Sequence, residues 1–219
     1  HFCLKKIPMP IKNFSSLAFV ATSYVKHHDG ISIYIENILS ELGAHKDIKI
    51  DIFVKKSVCS KLKKRAFKDS SHTNCKFIPI KDSSFISSVL YTNYLVNKQK
   101  YDLVFSPCLT PIFSFRNKSM KVIHDVTFKV FSHSLSSLKI LYKRMLLMLL
   151  YFDDFYGYIS ESTLDQIYTY TNLKKNKKPF LLLSNGIPLS TKEFYKKYIH
   201  EIEAKCNSDE MTFLFVGSL

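Results

Sequence analysis

The chain has 219 residues, 46% of them hydrophobic and 14% aromatic, and a formal net charge of +14. That composition excludes a disordered polymer and leaves room for one sizeable core, with or without part of a second domain. The charge reads in two ways: a lysine-rich composition spread over the whole surface, or an anionic partner such as nucleic acid or an anionic membrane.

Strand-like and helix-like stretches alternate along the chain. LAFVATSY at 17–24 is a short apolar run of the kind a buried parallel strand shows, and the loop VKHHDG follows it. ISIYIENILSELG then places Ile31, Tyr34, Ile35, Ile38, Leu39 and Leu42 at helical spacing, with Gly43 as a stop signal. IKIDIFV at 48–54 predicts a second strand and CKFIPI at 75–80 a third. Between them, KKSVCSKLKKRAFK at 55–68 is the tightest basic cluster. It lacks the interleaved aromatics of a single-strand binder and reads as a solvated loop or helix face.

SSFISSVLYTNYLVNKQ at 83–99 predicts a helix with Phe85, Ile86, Val89, Leu90, Tyr94 and Leu95 on one side. YDLVFSP at 101–107 and KVIHDV at 121–126 predict the fourth and fifth strands. SSLKILYKRMLLMLLYF at 136–152 predicts a helix both basic and apolar. In a doubly wound domain it turns its apolar residues to the core with Lys139, Lys143 and Arg144 outward; the other reading lays it on a membrane interface. YGYISES at 156–162, STLDQIYTYT at 162–171 and PFLLLSNGI at 179–187 predict a strand, a helix and a seventh strand. This rhythm means βαβ units and a mostly parallel, Rossmann-like doubly wound α/β sheet. The text changes after 187: a charged, helix-like stretch at 191–210 precedes MTFLFVGSL, which opens another strand.

Five cysteines, odd in number and without C-x-x-C spacing, indicate neither a zinc site nor a disulfide framework, and fit a reducing cytosol. The longest apolar run, MLLMLLYF at 145–152, is far below the ~20 residues of a membrane span. The opening HFCLKKIPMPIKNF lacks the long apolar stretch of a signal peptide. The expected location is cytoplasmic, peripheral on the inner face of the membrane.

Ligands of open parallel sheets bind beyond the carboxyl ends of the strands. Polar groups recur there: His27, His28, Asp29 and Gly30 after the first strand, Ser106 and Pro107 after the fourth, His124 and Asp125 after the fifth, Ser160 and Glu161 after the sixth, Asn185 and Gly186 after the seventh. Gly30 before a helix lets a ligand approach the backbone and its free N–H groups, or serves only as a turn. His124 and Asp125 read as an acid–base pair, as ligands of sugar hydroxyls, or as a strand end satisfied by hydrogen bonds. Ser160 reads equally as a helix cap, and Asn185-Gly186 as a tight turn. Neither G-x-G-x-x-G nor G-x-x-x-x-G-K-[ST] occurs, so the dinucleotide and P-loop fingerprints fail.

Taken in order, these pieces resemble the N-terminal half of GT-B-type retaining glycosyltransferases, the group 1 or family 4 enzymes. HHDGISIYIENILSEL resembles the family's GGI..Y...L...L loop and helix, and KVIHDVTFKVF its tiHD strand. YGYISESTLDQI resembles vSe.t..dl; FLLLSNGIPLS and TFLFVGSL resemble v.pNGid and yvG.l. The resemblance runs from about residue 17 onward.

It implies an acceptor-side domain over residues 1–188, a linker helix over 189–210, and the first strand of a donor-binding domain over 211–219. It implies a nucleotide-diphosphate sugar donor, a glycan or lipid-linked acceptor, peripheral contact with an anionic membrane, no metal, no separate cofactor and no nucleic acid. His124 would sit near the transferred sugar as the catalytic-side histidine. Gly30 would lie near the donor phosphates, although Asp29 stands where a second glycine is common. Asp125, Ser160, Glu161 and Asn185 would shape the substrate cleft. The family's phosphate-neutralising Arg and Lys lie after the yvG.l strand, so residues 1–219 alone are expected to show little or no transferase activity. A non-catalytic Rossmann-like binding module is the alternative.

Overall fold

The computed structural model describes residues 14–26, 29–67, 73–126 and 137–184. The expected linker and second-domain strand, the 188/189 boundary, Asn185 and the pair His27 and His28 lie outside the described residues. Seven strands form one all-parallel sheet: β1 (Ser16–Val20), β2 (Lys49–Lys55), β3 (Cys75–Ile80), β4 (Leu103–Ser106), β5 (Ser119–Ile123), β6 (Phe155–Tyr158) and β7 (Phe180–Leu182). Their spatial order is β3-β2-β1-β4-β5-β6-β7. The chain therefore builds outward from β1 to β3, crosses back, and builds the other way from β4. The switch point lies between β1 and β4. This is a Rossmann-like doubly wound fold.

Near-continuous apolar runs form these strands because both faces are covered. Every residue of β4 and β5 is buried. Alternate residues of β1 serve the two faces. Leu17 and Phe19 join the cluster beneath helices α1 (Gly30–Gly43) and α2 (Lys56–Ala66). Ala18 and Val20 join the cluster beneath helix α3 (Phe85–Lys98). Farther along that second face, Ile123, Tyr156 and Tyr158 pack with Leu147 and Leu150, from helix α4 (Ser137–Leu149) and the short 3-10 turn after it. Ile167 joins them from helix α5 (Glu161–Tyr170). On the α1 side, Gly157 is required by packing: a Cβ there would come within 2.9 Å of Leu183 Cδ1 and 3.0 Å of Val122 Cγ2.

On the first face, each helix turns its apolar stripe to the sheet. Tyr34, Ile35, Ile38 and Leu39 of α1 are buried, as are Val58, Leu62 and Ala66 of α2. The basic cluster at 55–68 is thus mostly a helix, with lysines on its watery side.

Helix α3 corrects the sequence expectation. Its most buried residues are Thr92, Asn93 and Val96, whereas Ile86 is 70% and Leu90 64% exposed, and Phe85 and Tyr94 are exposed with them. Val89 and Leu95 of the expected stripe do pack partly on the core. The cause lies in the segment 107–118 that joins β4 to β5 without a helix. Its backbone groups need partners, and asparagines supply them. Asn93 Nδ2 donates to Pro111 O at 3.1 Å while its Oδ1 accepts from Phe113 N at 2.9 Å. Asn97 Nδ2 donates to Phe113 O and its Oδ1 accepts from Phe115 N. Asn117 Nδ2 donates to Val96 O, and its Oδ1 accepts from Tyr101 N. This staple sets the rotation of α3.

Helix α4 also departs from the expected arrangement. Leu146 and Leu147 are buried, as is Leu150 just after it, but Leu141, Met145 and Met148 face outward beside Arg144. The side chain of Lys139 lies outside the described residues. Beneath this region Lys121 projects from the middle of β5 and donates to Asp153 Oδ2 at 2.7 Å; the two side chains are 2% and 1% exposed. Burial pulls the ammonium pKa down and pushes the carboxyl up, each against the attraction of its partner.

Candidate functional site

The carboxyl edge of the sheet is built first at the switch point. After β1 the chain turns back, with Tyr24 N donating to Ala21 O, and Tyr24 Oη donates to Glu36 Oε1 of α1 at 2.6 Å. Asp29 caps α1: its Oδ1 accepts from Ser32 N at 2.7 Å. The helix start, where an anion would dock, therefore already holds a carboxylate. Gly30 is the first helical residue, its φ is ordinary, and no atom lies within 4 Å of the position a Cβ would take. Among the described residues, nothing in the packing requires glycine there.

Across the switch point, Cys108 Sγ donates to Ser23 Oγ at 2.9 Å, tying the loop after β4 to the loop after β1. Burial pushes the Cys108 thiol up to about 11, so it is a neutral hydrogen-bonding group and not a thiolate nucleophile. Thr110 Oγ1 and Ser106 Oγ pair at 3.1 Å in the same buried loop.

His124 stands one residue beyond β5 and not inside the strand, as KVIHDV had suggested. It is half-buried, and its Nε2 lies 2.7 Å from Pro107 O. A carbonyl only accepts, so Nε2 carries the hydrogen and Nδ1 is the ring's acceptor. The Tyr34 ring meets the imidazole edge-to-face at 4.9 Å. Burial lowers the His124 pKa, opposed by the Pro107 hydrogen bond and by the charge of Asp125. At neutral pH the imidazole is therefore uncharged. Asp125 itself is exposed.

The strip continues to β6 and β7. Thr163 Oγ1 donates to His124 O at 3.2 Å, and Thr163 N donates to Ser160 Oγ at 3.2 Å. Ser160 is thus the cap of α5, the plainer of its two readings. Glu161 is exposed, and its Oε1 accepts from Tyr158 Oη at 3.4 Å. Tyr34 Oη donates to Leu183 O at 3.1 Å, and burial raises its pKa well above the ordinary value, so it remains a neutral donor.

The structure therefore joins His124, Ser160, Pro107 and the helix that begins at Gly30 in one strip along the sheet edge. Sequence reasoning missed Tyr34, which it counted as core, and Thr163, which it counted as helix. A tyrosine in the apolar stripe of the first helix was the available signal. Among the described residues, the side chains in these contacts are neutral (Ser23, Tyr34, Ser106, Cys108, His124, Ser160, Thr163) or acidic at the margins (Asp29, Asp125, Glu161), and the lysines Lys26 and Lys61 meet in the loop after β1. Such a set suits hydroxyl groups, to which it offers acceptors and donors, better than bare phosphate oxygens. No protein-family model matches the chain, and a comparison with curated proteins gave no match.

Proposed function

We propose that the chain is the acceptor-side half of a nucleotide-sugar-dependent glycosyltransferase that transfers a sugar to a polysaccharide or glycolipid acceptor. One observation carries the reading: a neutral histidine, oriented by Pro107 O and Tyr34, stands just beyond strand β5 beside the switch point of a parallel sheet. The motif order from Gly30 through His124, Ser160 and Asn185 supports it. In this reading His124 Nδ1 accepts from a sugar hydroxyl, and Asp125 and Glu161 border the polar rim. Asp29 already fills the start of α1, so that helix start does not hold the donor's diphosphate. Retention of configuration rests on the resemblance alone.

Asp29 also favours a second reading, a glycan-binding module without transfer chemistry, because a capped helix start repels a donor phosphate. The test uses the gene product that carries this chain, with nucleotide-diphosphate sugars and lipid-linked or polysaccharide acceptors. The transferase reading expects release of nucleoside diphosphate, and His124→Ala lowers kcat/KM about tenfold to a hundredfold. Glycan binding without turnover of any nucleotide-sugar gives the second reading. Unchanged turnover in His124→Ala removes the histidine from the site.

A further inference from the structure

The outward stripes of α3 and α4 are the feature the fold itself leaves unexplained. On α3, Ile86, Leu90 and Tyr94 recur every fourth residue on the solvent side. On α4 and the turn after it, Leu141 (65% exposed), Met145, Met148 (68%) and Phe152 (63%) follow at intervals of three or four residues. Both helices lie on one face of the sheet, and the Phe85 and Tyr142 rings join them edge-to-face at 5.6 Å. Phe115, 77% exposed, projects from the segment stapled to α3. Scattered exposed apolar residues need no explanation, but two adjacent stripes do.

The charges around the stripes select the occupant. The spans of α3 and α4 contain no Asp or Glu, and Lys98 and Arg144 are exposed on them. Arg116 and Lys118 are exposed beside Phe115. Leu, Ile, Met and Phe flanked by Lys and Arg is the composition of a face that enters the headgroup and acyl boundary of an anionic bilayer. A second copy is a poor occupant, because a two-fold contact through this face sets one basic rim against another in a chain of net charge +14. We propose that the α3–α4 face seats the protein on an anionic lipid surface, with the apolar stripes inserted and the basic residues against the headgroups. No helix among the described residues is long and apolar enough to cross a membrane. The inference stands on the face and not on the transferase reading.

The test is co-sedimentation of the chain with two kinds of vesicle, phosphatidylcholine alone and phosphatidylcholine mixed equally with phosphatidylglycerol. Binding is expected only to the mixed vesicles, weakening as salt rises. Leu90→Ser with Met148→Ser, both at exposed positions, should lower the partition coefficient about tenfold for each side chain. Arg144→Glu should weaken binding and flatten the salt dependence. Lys56→Ala with Lys63→Ala, on α2 across the sheet, should change it little. Circular dichroism checks that the variants remain folded. The proposal is overturned by absence of binding to mixed vesicles, by equal binding of wild type and Leu90→Ser/Met148→Ser, or by a larger loss from the α2 lysines. A dimer in sedimentation that Leu90→Ser/Met148→Ser dissolves would assign the face to a second copy instead. Nucleoside diphosphate release is a separate readout, so failure of docking and failure of the transferase reading are told apart.

Discussion

The two faces of the sheet solve the same packing problem in opposite ways. Under α1 and α2 the interior is oily and the outside charged: Ile35, Ile38, Leu39, Val58 and Leu62 are in, and lysines are out. Under α3 and α4 that order is partly inverted. Thr92, Asn93, Lys121 and Asp153 are buried, while Ile86, Leu90, Leu141 and Met148 face out. The lesson is that helical periodicity identifies a helix but not its inward side when it carries two usable stripes. On the second face the inward side is chosen by hydrogen-bonding demand, because a segment without secondary structure must satisfy its backbone.

The largest test of that contrast is the buried pair. Lys121→Ala leaves Asp153 buried without its partner and should cost about 3–5 kcal/mol, whereas Lys121→Met with Asp153→Leu should recover most of the loss. Urea unfolding measures both; a small loss from the single change would mean the pair is not sealed from water. Next comes a matched pair of truncations. Leu39→Ala on α1 should cost about 2–5 kcal/mol, and Leu90→Ala on α3 less than about 0.5 kcal/mol. Equal losses would erase the distinction between the faces.

Asn93→Ala should cost about 1–3 kcal/mol, since it strands Phe113 N and Pro111 O. Amide exchange at Phe113 should quicken at the same time; a silent Asn93→Ala would mean something else orients α3. The smallest effect belongs to His124, where α1 and α5 meet. Its folded pKa lies below the ordinary 6.5, so the unfolded chain binds the proton more readily. The stability linked to this group is complete above 6.5 and falls as pH drops through the folded value. An NMR titration of the ring should give a midpoint below 6.5, and a midpoint at or above it would mean that the Pro107 hydrogen bond and the charge of Asp125 outweigh burial.

Much of this was legible in the chain itself. All seven strands read as short apolar runs because parallel strands are covered on both sides. CKFIPI marked the limits of β3, α1 announced itself by apolar spacing and its Gly43 stop, and the start of α5 by its cap Ser160, whereas the cap Asp29 was not read as one. The placement of His124 at the sheet edge followed from strand order. Other features were hidden for physical reasons. Lys121 sits inside an apolar run, yet nothing local identifies Asp153, 32 residues away, as its partner. Asn93 and Asn97 looked like the polar side of a surface helix, because the segment they hold lies in the next connection. Tyr34 is both core and the ring that meets His124, two roles that spacing cannot separate.

The asparagine staple also sets a limit on the chemical lifetime of the second face. An amide gives with nitrogen and takes with oxygen, and Asn97 uses both ends on one segment: Nδ2 to Phe113 O, Oδ1 from Phe115 N. Deamidation, the spontaneous ageing reaction of asparagine, replaces that nitrogen with oxygen. The donor to Phe113 O is then lost and a negative charge faces a carbonyl. At the turn after α1, Asn74 is the counterpart, its Nδ2 donating to His45 O and Ile48 O. Deamidation at Asn97 should therefore loosen residues 111–117 and α3.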